Sequence, residues 1–259
     1  MSDYLLQGDD EGRRLMQQAA YLAPHTERAL RAAGVGPGKR VLDLGCGMAD
    51  VALLAAGLGA EVVSIERDPS VAAAARERAG TRVEVVVGDI AAAEVSGTFD
   101  VICGRLILMY VRDPAAVLRE LAARYLRPGG AVAFVEYDFR STLMLHRSPL
   151  LRETIETVCQ ILSATRFHGD LGLRLPEVYA ATGLGAPALD AFLWTVTHGD
   201  ALGPAMASSV MRNTLPLGEK LGVVKAADID LPTLEARLRA EIGTTPGIGP
   251  LVVSAVARR

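Results

Sequence analysis

Val41-Leu42-Asp43-Leu44-Gly45-Cys46-Gly47-Met48-Ala49-Asp50 carries the reading of the whole chain. Three apolar residues around one acid read as a short strand running to Leu44. Two glycines then allow a tight turn and close approach of backbone to a ligand. An Ala/Leu-rich stretch follows through about Leu58 and reads as a helix. Its first turn would present free N–H groups beside the loop. Strand, glycine loop and helix in that order form one half of a βαβ unit.

The pattern repeats outward from there. Residues 61–65 (EVVSI) read as a second strand, and Pro69 opens an alanine-rich helix to Ala79. Residues 82–87 give a third strand and 99–103 a fourth. Asp113-Pro114 opens a helix to about Leu126, Pro128-Gly129-Gly130 stops it, and 131–137 make a fifth strand. Short β-rich runs alternating with helices predict a parallel sheet covered on both faces, with right-handed crossovers. The fold class expected is α/β, a doubly wound Rossmann-like sheet.

Upstream, residues 11–33 carry an amphipathic helical pattern that Pro24 is expected to divide into two helices. Downstream, helices are expected at 148–165 and 175–182, a strand at 188–196, mostly helix over 200–242 with breaks at Pro204, Pro216 and Pro232, and a last strand at 251–257. The two late strands suit completion of the sheet. The remaining helices suit a cap over its carboxyl edge. The organisation expected is N-terminal lid helices over 1–38, a ligand-binding core over 39–138, and acceptor cap helices with the end of the sheet over 139–259.

Composition narrows the partners. Half the residues are hydrophobic (50%) and the net charge is −3, with no Lys/Arg cluster to meet a phosphate backbone, so nucleic acid is not expected as a partner. The 3 cysteines match no zinc spacing and read as reduced thiols. The first residues, MSDYLLQGDDEGRR, do not resemble a secretory leader, and no stretch is long and apolar enough to predict a membrane span. A cytoplasmic protein, with a homodimer as its possible assembly, is the expectation.

The acids are the informative residues. Glu66 ends the second strand about 20 residues past the loop, where a carboxylate can accept from both hydroxyls of a ribose. Asp89, after Gly88, ends the third strand and can accept from an exocyclic amine, while Ile90 can pack on a base. Cys103-Gly104-Arg105 ends the fourth strand. All fall at the carboxyl ends of successive strands, the edge where open α/β sheets bind ligands.

The series VLDLGCG, VVSIERD, VVVGDI, FDVICGRLILMYV and LRPGGAVAFVE, spread over roughly residues 39–138, resembles the motif series of class I S-adenosylmethionine (SAM)-dependent methyltransferases. The resemblance implies a seven-stranded, mostly parallel sheet with helical cap insertions, and SAM as cofactor. It implies that Asp43, Gly45, Cys46 and Gly47 surround the methionine part, that Glu66 with Arg67 beside it holds the ribose, and that Asp89 and Ile90 recognise the adenine. Gly104 and Arg105 would border the sulfonium. The N-terminal segment resembles the lid of small-molecule and quinone-biosynthesis methyltransferases, which implies that Tyr4 and Gln18 close over the methionine moiety.

Two rivals are weighed against this. A dinucleotide dehydrogenase would present G-x-G-x-x-G to admit a pyrophosphate, whereas here an acid precedes the glycines and Ala49 stands where many relatives of the resembled family have a third glycine. That substitution adds one methyl group at the expected first helical turn. A SAM-binding protein that transfers no methyl, of cyclase or binding type, shares every cofactor feature.

Methyl transfer from a sulfonium is an in-line displacement that needs alignment, and a base only for a protonated nucleophile. Of the 4 histidines, His146 and His168 are the candidate bases, with Asp170 placed to orient the second. His25 reads as a capping or surface residue and His198 as the end of a strand. Glu136, Tyr137 and Asp138 end the fifth strand and can also reach an acceptor. Phe139, Phe167, Phe192 and Trp194 favour an apolar small-molecule acceptor, methylated on oxygen or carbon.

Overall fold

The computed structural model describes residues 11–143, 145–165, 167–197, 199–200, 202–243 and 245–259. Its sheet has seven strands in the order β3-β2-β1-β4-β5-β7-β6. They are β1 (Arg40–Leu44), β2 (Glu61–Glu66), β3 (Val83–Val87), β4 (Phe99–Arg105), β5 (Leu126–Asp138), β6 (Ala188–Val196) and β7 (Gly247–Arg258). The pairs β1/β2, β2/β3, β1/β4 and β4/β5 are all parallel. The order reverses between β1 and β4, which places a crevice at their carboxyl ends. In register there, Leu44 lies opposite Gly104.

The helices are α1 (Glu11–Ala33), α2 (Asp50–Gly57), α3 (Pro69–Ala79), α4 (Pro114–Tyr125), α5 (Arg140–Leu143), α6 (Pro149–Ser163), α7 (Leu171–Thr182), α8 (Leu202–Lys220) and α9 (Leu231–Ile242). Several begin as their sequences dictate. Asp68 caps α3 by accepting from the N–H groups of Ser70 and Val71, and Asp113 caps α4 through Ala116, each just ahead of a proline.

Two compact units result. One comprises Gln18–Glu136, Gly172–Ala191 and Val253–Arg259. Its core is the sheet's apolar strands, with Val41, Leu42, Leu44, Ile65 and Phe134 fully buried. The alanines of α2 and α3 (Ala52, Ala55, Ala72, Ala75) are buried in the same cluster as Val41 and Val62, small enough to let helix backbones approach the sheet closely. The other unit comprises the described residues of Met1–Gln17, Tyr137–Leu171 and Phe192–Val252. Within it α6 packs on α8, and Gly218 has room for no side chain because Ile161 and Val224 crowd it.

Three expectations at prolines need correction. Pro24 does not divide the N-terminal segment: α1 is one helix with Pro24 inside it. An interior proline costs about 3 kcal/mol, but Leu22, His25, Thr26, Ala29, Leu30 and Ala33 are all buried along one face, a gain of several buried side chains. His25 is accordingly neither a cap nor a surface residue. Pro216 likewise sits inside α8, whose buried face continues through Leu215 and Gly218. Pro128-Gly129-Gly130 lies within β5 rather than ahead of it, in an irregularity of the β4/β5 register between Phe99 and Val101.

Candidate active site

The turn after β1 is built by three left-handed residues in five: Gly45 (φ 67°), Gly47 (φ 51°) and Ala49 (φ 63°). The N–H groups of Gly45 and Cys46 donate to the Ile65 carbonyl at 2.9 and 3.1 Å. The Gly47 N–H donates to Glu66 Oε2 at 2.9 Å, and the Ala49 N–H to the Cys46 carbonyl at 2.7 Å. The loop therefore satisfies these four donors within the protein. What it turns toward the end of β1 is acid.

Asp43 is buried on β1. Its Oδ2 accepts from the Ser64 hydroxyl at 3.2 Å, and its Oδ1 has no hydrogen-bond partner among the described residues. Burial pushes its carboxyl up to about 7, against the pull of the Ser64 hydroxyl and the Arg105 guanidinium. Glu66 is buried at the end of β2, and its second oxygen accepts from the Asp68 N–H at 3.0 Å. Each carboxylate oxygen has a further lone pair, so these bonds leave acceptor capacity for a ligand hydroxyl.

Asp50, first residue of α2, pairs with Arg78 at 2.7 Å and lies 4.0 Å from Arg105. Arg105 also donates to the Thr26 hydroxyl at 3.2 Å, tying the end of β4 to α1. Neither Asp50, Ser64, Thr26 nor Arg78 stood out in the sequence; only the acid at a helix start offered a signal.

Asp89 is exposed and Ile90 half-buried after β3. One Asp89 oxygen accepts from the Ala91 N–H at 2.9 Å, which fixes the carboxylate in a turn. Cys46 is buried and burial pushes its thiol well above the usual range, so it is no nucleophile. Arg67 is exposed and Gln18 half-buried on α1, whereas Tyr4 and His198 lie outside the described residues.

His146 and His168 belong to the other unit. His146 is buried with no partner for Nδ1 among the described residues, and burial holds its pKa below the usual value, so the ring is neutral near pH 7. His168 is half-buried, and its carbonyl accepts from the Leu171 N–H. Among the described residues no group of three or more His, Cys, Asp or Glu is placed to hold a metal ion, and no helix is long and apolar enough to cross a membrane.

A cavity of about 180 Å³ lies at the opposite edge, lined by Lys39, Asp100, Arg127, Gly129 and Arg258 among others. These residues cluster at the amino ends of β1 and β4 and the start of β5. Within the unit that holds β1 and β4, strand polarity separates the cavity from the acids and glycines at the carboxyl ends of β1, β2 and β4.

Comparison with known proteins agrees with this geometry. A family described as a methyltransferase domain matches residues 36–179. The chain belongs to that family. The fold is that of a class I SAM-dependent methyltransferase, as the sequence led one to expect. A ubiquinone biosynthesis O-methyltransferase of Xanthomonas campestris is 36% identical over 118 residues, which cover 44% of this chain and 46% of that protein. The chain thus spans about half the length of the curated relatives it matches. Among solved structures, a putative methyltransferase of Bacillus halodurans matches with a TM-score of 0.59 at 15% identity, covering 90% of this chain and 97% of that one. The [4+2]-cyclase SpnF matches with a TM-score of 0.54 at 18% identity, covering 91% and 80%. At such identities these two speak to the fold.

Proposed function

We propose that this chain transfers a methyl group from SAM to an oxygen or carbon of a small, largely apolar metabolite. The observation that carries this is the buried Oδ1 of Asp43, without a hydrogen-bond partner among the described residues, beside a glycine loop in which the N–H groups of Gly45, Cys46, Gly47 and Ala49 are bonded within the protein. A pyrophosphate needs free N–H donors; an ammonium needs an acceptor. The buried acceptor on Asp43 fits the second.

In this reading Asp43 holds the ammonium of the methionine part, bounded by Gly45, Cys46 and Gly47. Glu66, with Arg67 beside it, accepts from the ribose hydroxyls, while Asp89 and Ile90 take the adenine. Gly104 and Arg105 line the sulfonium end, Gln18 closes over the methionine part, and Tyr4, outside the described residues, is assigned to the same lid. When bound, SAM supplies an electrophilic methyl carbon. The protein's part is to align the acceptor, exclude water and, for a hydroxyl acceptor, to accept its proton at the neutral ring of His146 or at His168. Acceptor recognition is assigned to 139–259, and the relatives named as O-methyltransferases favour an oxygen acceptor.

The test is calorimetric titration with SAM, followed by incubation with methyl-labelled SAM and a panel of catechols and hydroxylated quinols. Expected are binding, labelled product and S-adenosylhomocysteine. In an active assay, His146→Ala or His168→Ala should lower turnover at saturating SAM by 10²-fold or more, on the order expected for loss of a general base. Absence of SAM binding overturns the cofactor reading. Binding with no methyl transfer to any of the panel overturns the acceptor class and moves the chain toward methyltransferase-like proteins of other chemistry, as SpnF is named.

A further inference from the structure

Glu136, near the end of β5, is fully buried, and burial pushes its carboxyl up to about 8. Its place at the strand end led to the expectation that it reaches an acceptor, but its full burial leaves the proposed methyl transfer no use for it. Its Oε1 accepts two backbone N–H groups from the turn after β4, Ile107 at 3.1 Å and Leu108 at 2.8 Å. Burying a carboxyl group is costly, and hydrogen bonds of this kind return only part of that cost. A group placed so expensively is expected to fix something.

What it fixes is strained. Leu106 has φ 54°, a left-handed conformation that is strained for a non-glycine residue. It is held there by its own N–H bond to the Val135 carbonyl at 2.9 Å and by the two bonds that follow it to Glu136. Strained residues persist where surrounding bonds over-determine them.

The strain serves to aim Ile107. A Cβ on Gly45 would lie 2.5 Å from Ile107 Cδ1, and a Cβ on Gly104 would lie 2.8 Å from Ile107 Cγ2. The Ile107 side chain thus fills the space that side chains at both positions would take. It stands against the first glycine of the cofactor loop and the last glycine of β4, on opposite sides of the sheet's switch point.

We propose that Glu136 is a positioning residue for the cofactor loop, holding Ile107 against Gly45 and Gly104 so that the methionine end of the pocket is formed before ligand arrives. This rests on the SAM reading above. Glu136 acts through Ile107 and touches neither cofactor nor acceptor.

Two measurements separate the proposal from the reading it rests on. The first needs no ligand: amide hydrogen exchange at Ile107 and Leu108 in the free protein. Both amides should be protected in the wild type and in Glu136→Gln, which keeps a carbonyl acceptor, and should exchange faster in Glu136→Ala. Unchanged protection in Glu136→Ala overturns the proposal even if the wild type binds no SAM. The second is calorimetric affinity for S-adenosylhomocysteine. Glu136→Ala should weaken it about tenfold, or about 1.4 kcal/mol, with Glu136→Gln restoring most of the loss. Ile107→Ala should weaken it similarly, and the double variant no further, because both act through one contact. A Glu136→Ala protein that melts lower yet binds as tightly as wild type leaves Glu136 a stability residue only, and losses that multiply in the double variant exclude Ile107 as the route.

Discussion

Glu66 Oε2 accepts the N–H of Gly47 at 2.9 Å, so the carboxylate expected to hold a ribose also holds the glycine loop. The bond crosses from the end of β2 to the turn after β1. Together with the two N–H bonds to the Ile65 carbonyl, it makes the loop's shape a property of the second strand. Ligand recognition and loop geometry then share one side chain.

Glu66→Ala should therefore do two things at once. Loss of a ribose acceptor and of the loop tie should weaken SAM binding by roughly 1–3 kcal/mol, and the free protein should also melt lower. Glu66→Gln keeps one acceptor oxygen and should fall between. Calorimetry and thermal melts of the three proteins check this. Full affinity in Glu66→Ala would remove Glu66 from the pocket.

Ala49 gives a prediction of opposite sign. It is buried, adopts φ 63°, ψ 26°, and caps α2 without a side-chain hydrogen bond. Left-handed backbone costs alanine roughly 1–2 kcal/mol that glycine avoids, and glycine's larger unfolded-state entropy cancels about half of that gain. Ala49→Gly should stabilise the protein by about 0.5–1 kcal/mol, read as an upward shift of the urea midpoint. A downward shift would mean that the methyl group's packing outweighs the strain.

The same residue shows where the sequence stopped being readable. Strands 40–44, 61–66 and 188–196 were legible because their Val, Ile and Leu runs sit between clear breakers, and strand ends carry the acids wherever the sheet is placed. Ala49 read as one extra methyl at a first helical turn because backbone sign is invisible in a residue name. Pro24 and Pro216 read as breaks because the burial that outweighs them comes from packing partners distant in the chain. Glu136 and Ile107 meet through backbone N–H groups, and such donors leave no mark on the sequence at a separation of 29 residues. The polar network around Asp50 and Arg105 was hidden for the same reason.

Stability should fall as pH rises from about 6.5 to 8. Asp43 and Glu136 have folded-state values raised to about 7 and about 8, so the folded chain keeps protons that the unfolded chain has lost. Stability that depends on those protons is complete at low pH and declines until each folded value is passed, with a slope of at most about 1.4 kcal/mol per pH unit for each group. His25 and His146 are lowered from 6.5 and act in the opposite sense only below that value. Above pH 7 most of the remaining decline belongs to Glu136, with a smaller, fading share from Asp43. Urea midpoints should drop between pH 7 and 8 in the wild type and flatten in Glu136→Gln. An equally steep drop in that variant would assign the slope to another group.

SAM affinity should rise with pH through the same region, for a different reason. Asp43 is held near 7 by burial against the pull of Arg105, and its Oδ1 has no hydrogen-bond partner among the described residues. An ammonium bound there favours the ionised carboxylate and lowers its pKa. Binding then releases a proton wherever the free protein still holds one. At pH 6 about nine-tenths of Asp43 would be protonated, so affinity should be several-fold and at most about tenfold weaker than at its plateau. Calorimetry in two buffers of different ionisation enthalpy should report release of most of a proton at pH 6 and about half of one at pH 7. Asp43→Asn should bind more weakly and lose this pH dependence, because the amide has no proton to give up. Proton uptake on binding, or an unchanged pH profile in Asp43→Asn, would move the ammonium away from Asp43 and leave its buried oxygen to be satisfied by another group.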